Sequence, residues 1–248
     1  TVVWVHGGAY IGGRKDEAAP YFERLAAAGF TVVSVEYARA PRARYPVAVG
    51  QVNRAIAAVL ARNERYHVDC RRVILAGDSA GAQIASQIAT LTTNPEYARE
   101  VGIVPSLSSA QLCGTVLFGG VYDGNAVVRH DGAFANAALQ LFIGNVLWAY
   151  TGEKGRASTA MRQMSTIDHA TSAFPPTFIS GGNADPFTSV HSKPFAARLA
   201  SLGVDVSPAF FADDHDPALP HQFQFDVATD EGAASMAAVV AFVKQRTA

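Results

Sequence analysis

The chain has 248 residues, 49% of them hydrophobic, which suits one large α/β domain, and its formal net charge is −1. That balance leaves no basic stripe to neutralise phosphates, so nucleic acid is not an expected partner. Cys70 and Cys113 form no C-x-x-C pair and read as reduced, buried, small apolar residues rather than a disulfide or zinc framework. Apolar runs such as Ala237–Val243 are far shorter than the roughly 18 residues of a membrane span, so no membrane association is expected. No signal-peptide pattern is visible, although the chain opens directly on a strand, and the expected compartment is the cytoplasm.

Strand-like and helix-like segments alternate from the first residue. Thr1–Val5, Thr31–Val35, Val73–Ala76, Thr115–Phe118, Thr177–Ser180 and Val204–Phe211 are short, apolar and rich in β-branched or aromatic residues. Helical patterns fall between or after them, at about Glu17–Ala28, Ala48–Asn63, Ala80–Leu91, Val190–Leu202 and Gly232–Lys244. Gly29 and Gly203 stand where helix-terminating glycines belong. The pattern predicts an α/β fold with a mostly parallel sheet covered on both faces by helices. In such sheets the ligand site lies beyond the carboxyl ends of the strands.

One stretch departs from the rhythm. Val121–Pro175 separates two strands where a far shorter crossover would serve, and carries Phe134, Phe142, Trp148 and Tyr150 among short helical patterns. It reads as a helical cap insertion, 121–175, on a core formed by 1–120 and 176–248; extra helices packed on the core are the plainer alternative.

Gly77-Asp78-Ser79-Ala80-Gly81 lies between a strand and a helix, the pattern of a nucleophile elbow. Only small residues fit beside a serine in so tight a turn, and the first helical turn behind it offers unpaired N–H groups. An ordinary Gly-rich turn is the bland reading. His6-Gly7-Gly8-Ala9-Tyr10 follows the first strand, where successive glycines let backbone N–H groups face a developing oxyanion. His6 reads as structural. Nearby Gly12-Gly13-Arg14-Lys15 matches no phosphate-loop pattern.

A nucleophilic serine needs a base and a group that orients it. His215 and His221 both follow the last strand, as the order Ser, Asp, His requires, and His221 is preferred. Asp185, at a strand's carboxyl end beside Pro186, is the preferred acid over Asp205 and Asp213. Asp213-Asp214-His215-Asp216 looks like a metal cluster but reads better as a solvated acidic turn, so no metal site is assigned.

Together with Tyr37-Ala38-Arg39-Ala40-Pro41, Gly181-Gly182-x-x-Asp185-Pro186 and His221-Gln222-Phe223, these motifs occur in the order of the hormone-sensitive-lipase-like (family IV) esterases of the α/β-hydrolase fold, which the chain resembles over nearly its whole length. The resemblance implies a serine carboxylesterase acting on small, short-chain acyl esters without a cofactor. It implies a triad of Ser79, Asp185 and His221, an oxyanion hole from Gly7, Gly8 and Ala80, and a homodimer through the last strands as the family-level expectation. Tyr10, Phe134, Phe142, Trp148 and Phe187 are the candidate pocket residues. The chain departs from the pattern in three places. Two strands and part of a cap that precede the His-Gly-Gly strand in that family are not in this sequence. Ala9 replaces a third glycine, and Gln222 stands where the family has glycine. An amidase of the aryl-formamidase kind and a non-catalytic small-molecule binding protein are the alternative functions.

Overall fold

Six apolar runs become six strands in the computed structural model, which describes residues 1–129, 137–153 and 158–248. They are β1 (Val2–Val5), β2 (Val32–Val35), β3 (Val73–Asp78), β4 (Leu112–Phe118), β5 (Thr177–Gly181) and β6 (Val206–Phe210). All pair in parallel, in the order β2-β1-β3-β4-β5-β6. The predicted fold class is therefore observed. The chain moves outward from β1 to β2, then returns to the other side of β1 for β3. That reversal opens a crevice between the carboxyl ends of β1 and β3.

The helices are α1 (Ala19–Ala27), α2 (Val47–Leu60), α3 (Asn63–Tyr66), α4 (Ala80–Thr93), α5 (Pro95–Val101), α6 (Gly124–Arg129), α7 (Ala137–Thr151), α8 (Thr159–Met164), α9 (Thr166–His169), α10 (Lys193–Ser201) and α11 (Asp230–Thr247). Strand side chains alternate between two cores, as the two-residue period dictates. Val2, Trp4, Ile74, Val116 and Phe118 pack with Tyr21 and Leu25 of α1 and Val239, Phe242 and Val243 of α11. Val3, Val5, Leu75, Leu117 and Ile179 pack under α2, α4 and α10 on the opposite face. Trp4 is fully buried and meets Tyr21 and Phe118 edge-on, both at 5.5 Å between ring centroids. Each such pair is worth about 0.5–1.5 kcal/mol beyond its buried area.

The predicted α10 pattern begins as a π-helical turn over Thr188–Ser192 before turning α-helical. Sequence reading passed over α3 and α5. The signals for α5 are nonetheless present: the Asn94 side chain caps it by accepting from the N–H groups of Glu96 and Tyr97, and Gly102 ends it at φ +73°. Cys70 and Cys113 are unpaired thiols and only half-buried, so they are not the core residues expected.

The long insertion between β4 and β5 holds α6 to α9. Its second half is fastened to α4 by buried polar contacts. Gln83 Nε2 donates to the Met164 carbonyl at 3.0 Å, Ser86 and Thr166 share a hydroxyl hydrogen bond of 3.1 Å, and Tyr97 hydrogen-bonds the Gln163 carbonyl. The helix α7 instead reaches the β1 side, where Tyr150 stacks on Tyr10. Among the described residues no helix is long and apolar enough to cross a membrane. Edge strand β6 carries the exposed Pro208, which supplies no N–H to that edge.

Candidate active site

Ser79 sits between β3 and α4 at φ +52°, ψ −121°, a conformation L-residues avoid. Its neighbours explain how the turn is tolerated. A Cβ on Gly77 would lie 2.6 Å from the Gly81 backbone, and one on Gly81 would lie 2.0 Å from the Val5 carbonyl oxygen. The glycines let α4 start directly against the end of β1. The Ser79 N–H donates to the Phe118 carbonyl at 2.7 Å, which ties the elbow to the end of β4. Ser79 is half-buried, and its hydroxyl forms no hydrogen bond among the described residues.

Asp185 and His221 come together as expected. His221 Nδ1 lies 2.8 Å from Asp185 Oδ2, and Asp185 is 3% exposed. The Phe187 N–H donates to Asp185 Oδ1 at 2.9 Å, so the carboxylate is held at both oxygens. With a carboxylate as acceptor, Nδ1 carries the proton and Nε2 is left as the basic nitrogen. Phe187 packs against the imidazole, 5.1 Å between ring centroids.

Two residues passed over in the sequence complete this junction. Gly119 follows β4 at φ +55°; a Cβ there would be 2.8 Å from His221 Cε1 and 2.9 Å from Asp185 Oδ2. Glycine is required for the Asp185–His221 pair to approach the strand end that also holds the Ser79 N–H. Asn183 joins the acid loop to the histidine loop: its Oδ1 accepts the Leu219 N–H and its Nδ2 donates to the His215 carbonyl, each at 2.8 Å. The Gly119-Gly120 pair at a strand end was the available signal for the first; nothing local marked the second.

His215 lies elsewhere. Its Nε2 is 3.2 Å from Glu231 Oε1 on α11. Asp213 pairs with Lys193 at 2.9 Å, and that hydrogen bond holds its carboxyl below the ordinary value. Asp205 pairs with Arg246. These acidic residues do not converge on one centre.

The loop after β1 gives a correction. Gly7 was expected to supply an oxyanion donor, but its N–H donates to Asp78 Oδ2 at 2.9 Å and is committed there. Gly8 and Ala9, at φ +108° and +52°, have N–H groups with no acceptor among the described residues, as does Ala80 in the first turn of α4. The N–H groups left unclaimed at this strand end are thus those of Gly8, Ala9 and Ala80. His6 is structural, as read from the sequence. It stacks on Tyr37 at 4.3 Å between ring centroids, and its Nδ1 donates to the Gly7 carbonyl at 2.7 Å.

Asp78, next to the serine, is 5% exposed. Burial pushes its carboxyl above the ordinary value, opposed by hydrogen bonds from Trp4 and Gly7 and by electrostatic interaction with His6 and His221. Its Oδ1 accepts Trp4 Nε1–H at 2.8 Å, and its Oδ2 accepts the Gly7 N–H and the Gln222 side-chain amide.

The expected pocket residues divide. Phe187 lies against His221. Tyr10 is 3% exposed, stacked on Tyr150 at 4.0 Å with its hydroxyl on Gln83 Oε1, so it shapes the loop rather than presenting a surface. Phe142 and Trp148 are 53% and 44% exposed; the face of α7 turned towards Phe187 is Leu139, Ile143 and Leu147. Those three recur every fourth residue, whereas Phe142 and Trp148 are each rotated by about 100° from a member of that row. Phe134 lies outside the described residues.

A family model for the alpha/beta hydrolase fold matches residues 2–224. The esterase LipQ of Mycobacterium tuberculosis is 30% identical over 208 residues, 82% of this chain and 46% of that protein. The acetyl esterase of Salmonella agona is 30% identical over 138 residues, 53% of this chain and 42% of that one. The chain spans about half the length of the curated relatives it matches. Among solved structures, an esterase of Pyrobaculum calidifontis superposes with a TM-score of 0.77 at 23% identity, covering 100% of this chain and 76% of that one. Esterase B of Lactobacillus rhamnosis gives a TM-score of 0.82 at 18% identity, covering 99% and 76%. These two likenesses show the fold. With nine-tenths of its length matched by the family model and the family's motifs in order, the chain belongs to the α/β-hydrolase fold family, in its hormone-sensitive-lipase-like branch.

Proposed function

We propose that the chain is a serine carboxylesterase hydrolysing short-chain acyl esters. The observation that carries this reading is the convergence at Gly119: the elbow that bears Ser79 and the Asp185–His221 pair meet at the end of β4, beside the unclaimed N–H groups of Gly8, Ala9 and Ala80. In the proposed reaction His221 Nε2 takes the Ser79 proton as Oγ attacks the ester carbonyl carbon. The Ser79–His221 hydrogen bond forms as substrate binds, a tightening common to such sites. Negative charge develops on the carbonyl oxygen and is stabilised by the three N–H groups; one such donor is typically worth about 3–4 kcal/mol. Asp185 holds the imidazole and stabilises its charged form. Collapse of the tetrahedral intermediate breaks the carbon–oxygen bond, and His221 returns its proton to the departing alcohol. Water, deprotonated by His221, then attacks the acyl-enzyme and releases the acid.

The likeness to an esterase and to an acetyl esterase supports ester substrates with small acyl groups. The apolar cluster of Phe187, Val190, Ile143 and Leu147 beside His221 supports an apolar substrate contact. The test is hydrolysis of p-nitrophenyl esters from acetate to dodecanoate by the wild type and by Ser79→Ala. The expected result is a rate that peaks at short chains and falls by several orders of magnitude in the variant, whose fold is retained. Equal rates in the two proteins would refute the assignment.

A further inference from the structure

Gln222, immediately after His221, has φ +64° and ψ 25°, the left-handed region in which glycine is free of strain and other residues are not. Its side chain does what a glycine could not. The Nε2–H donates to Asp78 Oδ2, beside the Gly7 N–H on the same oxygen, while Trp4 Nε1–H holds Oδ1. The amide also lies against the oxyanion loop, since a Cβ on Gly7 would be 2.9 Å from Gln222 Nε2. One buried carboxylate therefore ties together three backbone segments: the elbow carrying Ser79, the loop carrying Gly8 and Ala9, and the loop carrying His221.

We infer that Gln222 is a positioning residue, whose amide bond to Asp78 sets the His221 loop against the serine elbow and the oxyanion loop. This rests on the esterase reading above. The contribution is geometric: Gln222 touches neither the triad side chains nor the reacting carbonyl. If the residue served only the fold, glycine would serve better, because it accepts φ +64° without strain. The titratable groups that act on Asp78 are His6, His221 and Tyr37.

The test compares Gln222→Gly, Gln222→Met and Gln222→Glu on p-nitrophenyl butyrate, with Ser79→Ala as the blank. In Gln222→Gly the left-handed strain is relieved and the amide is lost. In Gln222→Met the strain and the length remain and the donor is lost. Both are expected to lower kcat about tenfold or more with KM within about twofold, while their melting temperatures differ, so that kcat follows the amide and stability follows the backbone. A Gln222→Gly enzyme within twofold of wild-type kcat would overturn the inference. Gln222→Glu sets a second carboxyl against Asp78. Its folded pKa would be raised by that like charge, so stability is fully present below the ordinary carboxyl pKa and is lost as pH rises. The melting-temperature deficit of Gln222→Glu relative to wild type should therefore widen from pH 5 to pH 8. A constant deficit would overturn the contact itself, whatever the esterase assay shows, which separates failure of this inference from failure of the esterase reading.

Discussion

Gly119→Ala is the sharpest test of the junction at the end of β4. The added Cβ would stand 2.8 Å from His221 Cε1, 2.9 Å from Asp185 Oδ2 and 3.0 Å from His221 Nδ1. Ordinary contact begins near 3.4 Å, so the imidazole and carboxylate must retreat by about half an ångström. Residue 119 also has φ +55°, where a Cβ adds strain of about 1–2 kcal/mol. For a domain of this size each kcal/mol lowers Tm by about 2–4 °C. A displacement of the base approaching 1 Å costs on the order of 10²-fold in rate. The expected variant is folded, melts a few degrees low, and has kcat on p-nitrophenyl butyrate reduced by about one to two orders of magnitude. Gly102→Ala is the control, because Gly102 has φ +73° and nothing within 4 Å of the added Cβ. It should lose a similar few degrees and keep full activity. Equal activity in the Gly119→Ala and Gly102→Ala proteins would refute the argument that Gly119 makes room for the His221–Asp185 pair.

His215→Ala should leave kcat/KM within about twofold, since His215 pairs with Glu231 away from the serine; a hundredfold loss would return it as the base. Asp78→Asn should lower kcat, because one face of the amide then presents N–H to a donor, either Trp4 Nε1 or the Gly7 and Gln222 N–H groups. It should also change the pH dependence of stability. The Asp78 carboxyl is raised, so its contribution is present below the ordinary carboxyl pKa and lost as pH rises through the folded value; a Tm difference between variant and wild type that is flat from pH 4 to pH 8 would contradict that direction. Tyr150→Phe removes a buried hydroxyl that has no partner among the described residues and keeps the ring stacked on Tyr10, so Tm should hold or rise by about 2–4 °C, and a clear fall would mean the hydroxyl is bonded.

The six strands and the strand-to-helix turn at Ser79 were legible because each is written in local pattern. Buried parallel strands are continuous apolar runs, and a tight strand-to-helix turn admits only small residues beside Ser79. The commitment of the Gly7 N–H was not legible because it is made by a carboxylate 71 residues away, which no local window contains. The face of α7 was misread for a related reason. That helix carries Leu141, Phe142 and Trp148 on its exposed side as well as Leu139, Ile143 and Leu147 towards Phe187. With apolar residues all round, ring size was a poor guide to facing. Gly119 and Asn183 act through contacts with residues far along the chain, on the histidine loop, so their importance exists only once β4, the acid loop and the histidine loop are adjacent.

Strain and its restraints are distributed in a way that itself supports the location of the site. Among the described residues, the non-glycine positions with positive φ are Ala9, Tyr10, His67, Ser79 and Gln222. His67 ends the short helix α3, where a left-handed residue is an ordinary stop. The other four lie on the three segments that Asp78 ties together, and three of them are held by a contact made at long range or by steric clearance. Ser79 is held by its N–H bond to Phe118 and by the two flanking glycines, Tyr10 by the ring of Tyr150, and Gln222 by its amide on Asp78. Left-handed residues cost about 1–2 kcal/mol each and persist only where surrounding structure over-determines them. A turn needed only to connect β1 to α1, or β6 to α11, could have used glycine throughout at lower cost. The side chains of Ser79, Tyr10 and Gln222 are therefore tied to the arrangement of the site rather than to the connections alone, and the same long-range contacts that hold them in place are the ones through which a substitution would disturb the geometry of attack.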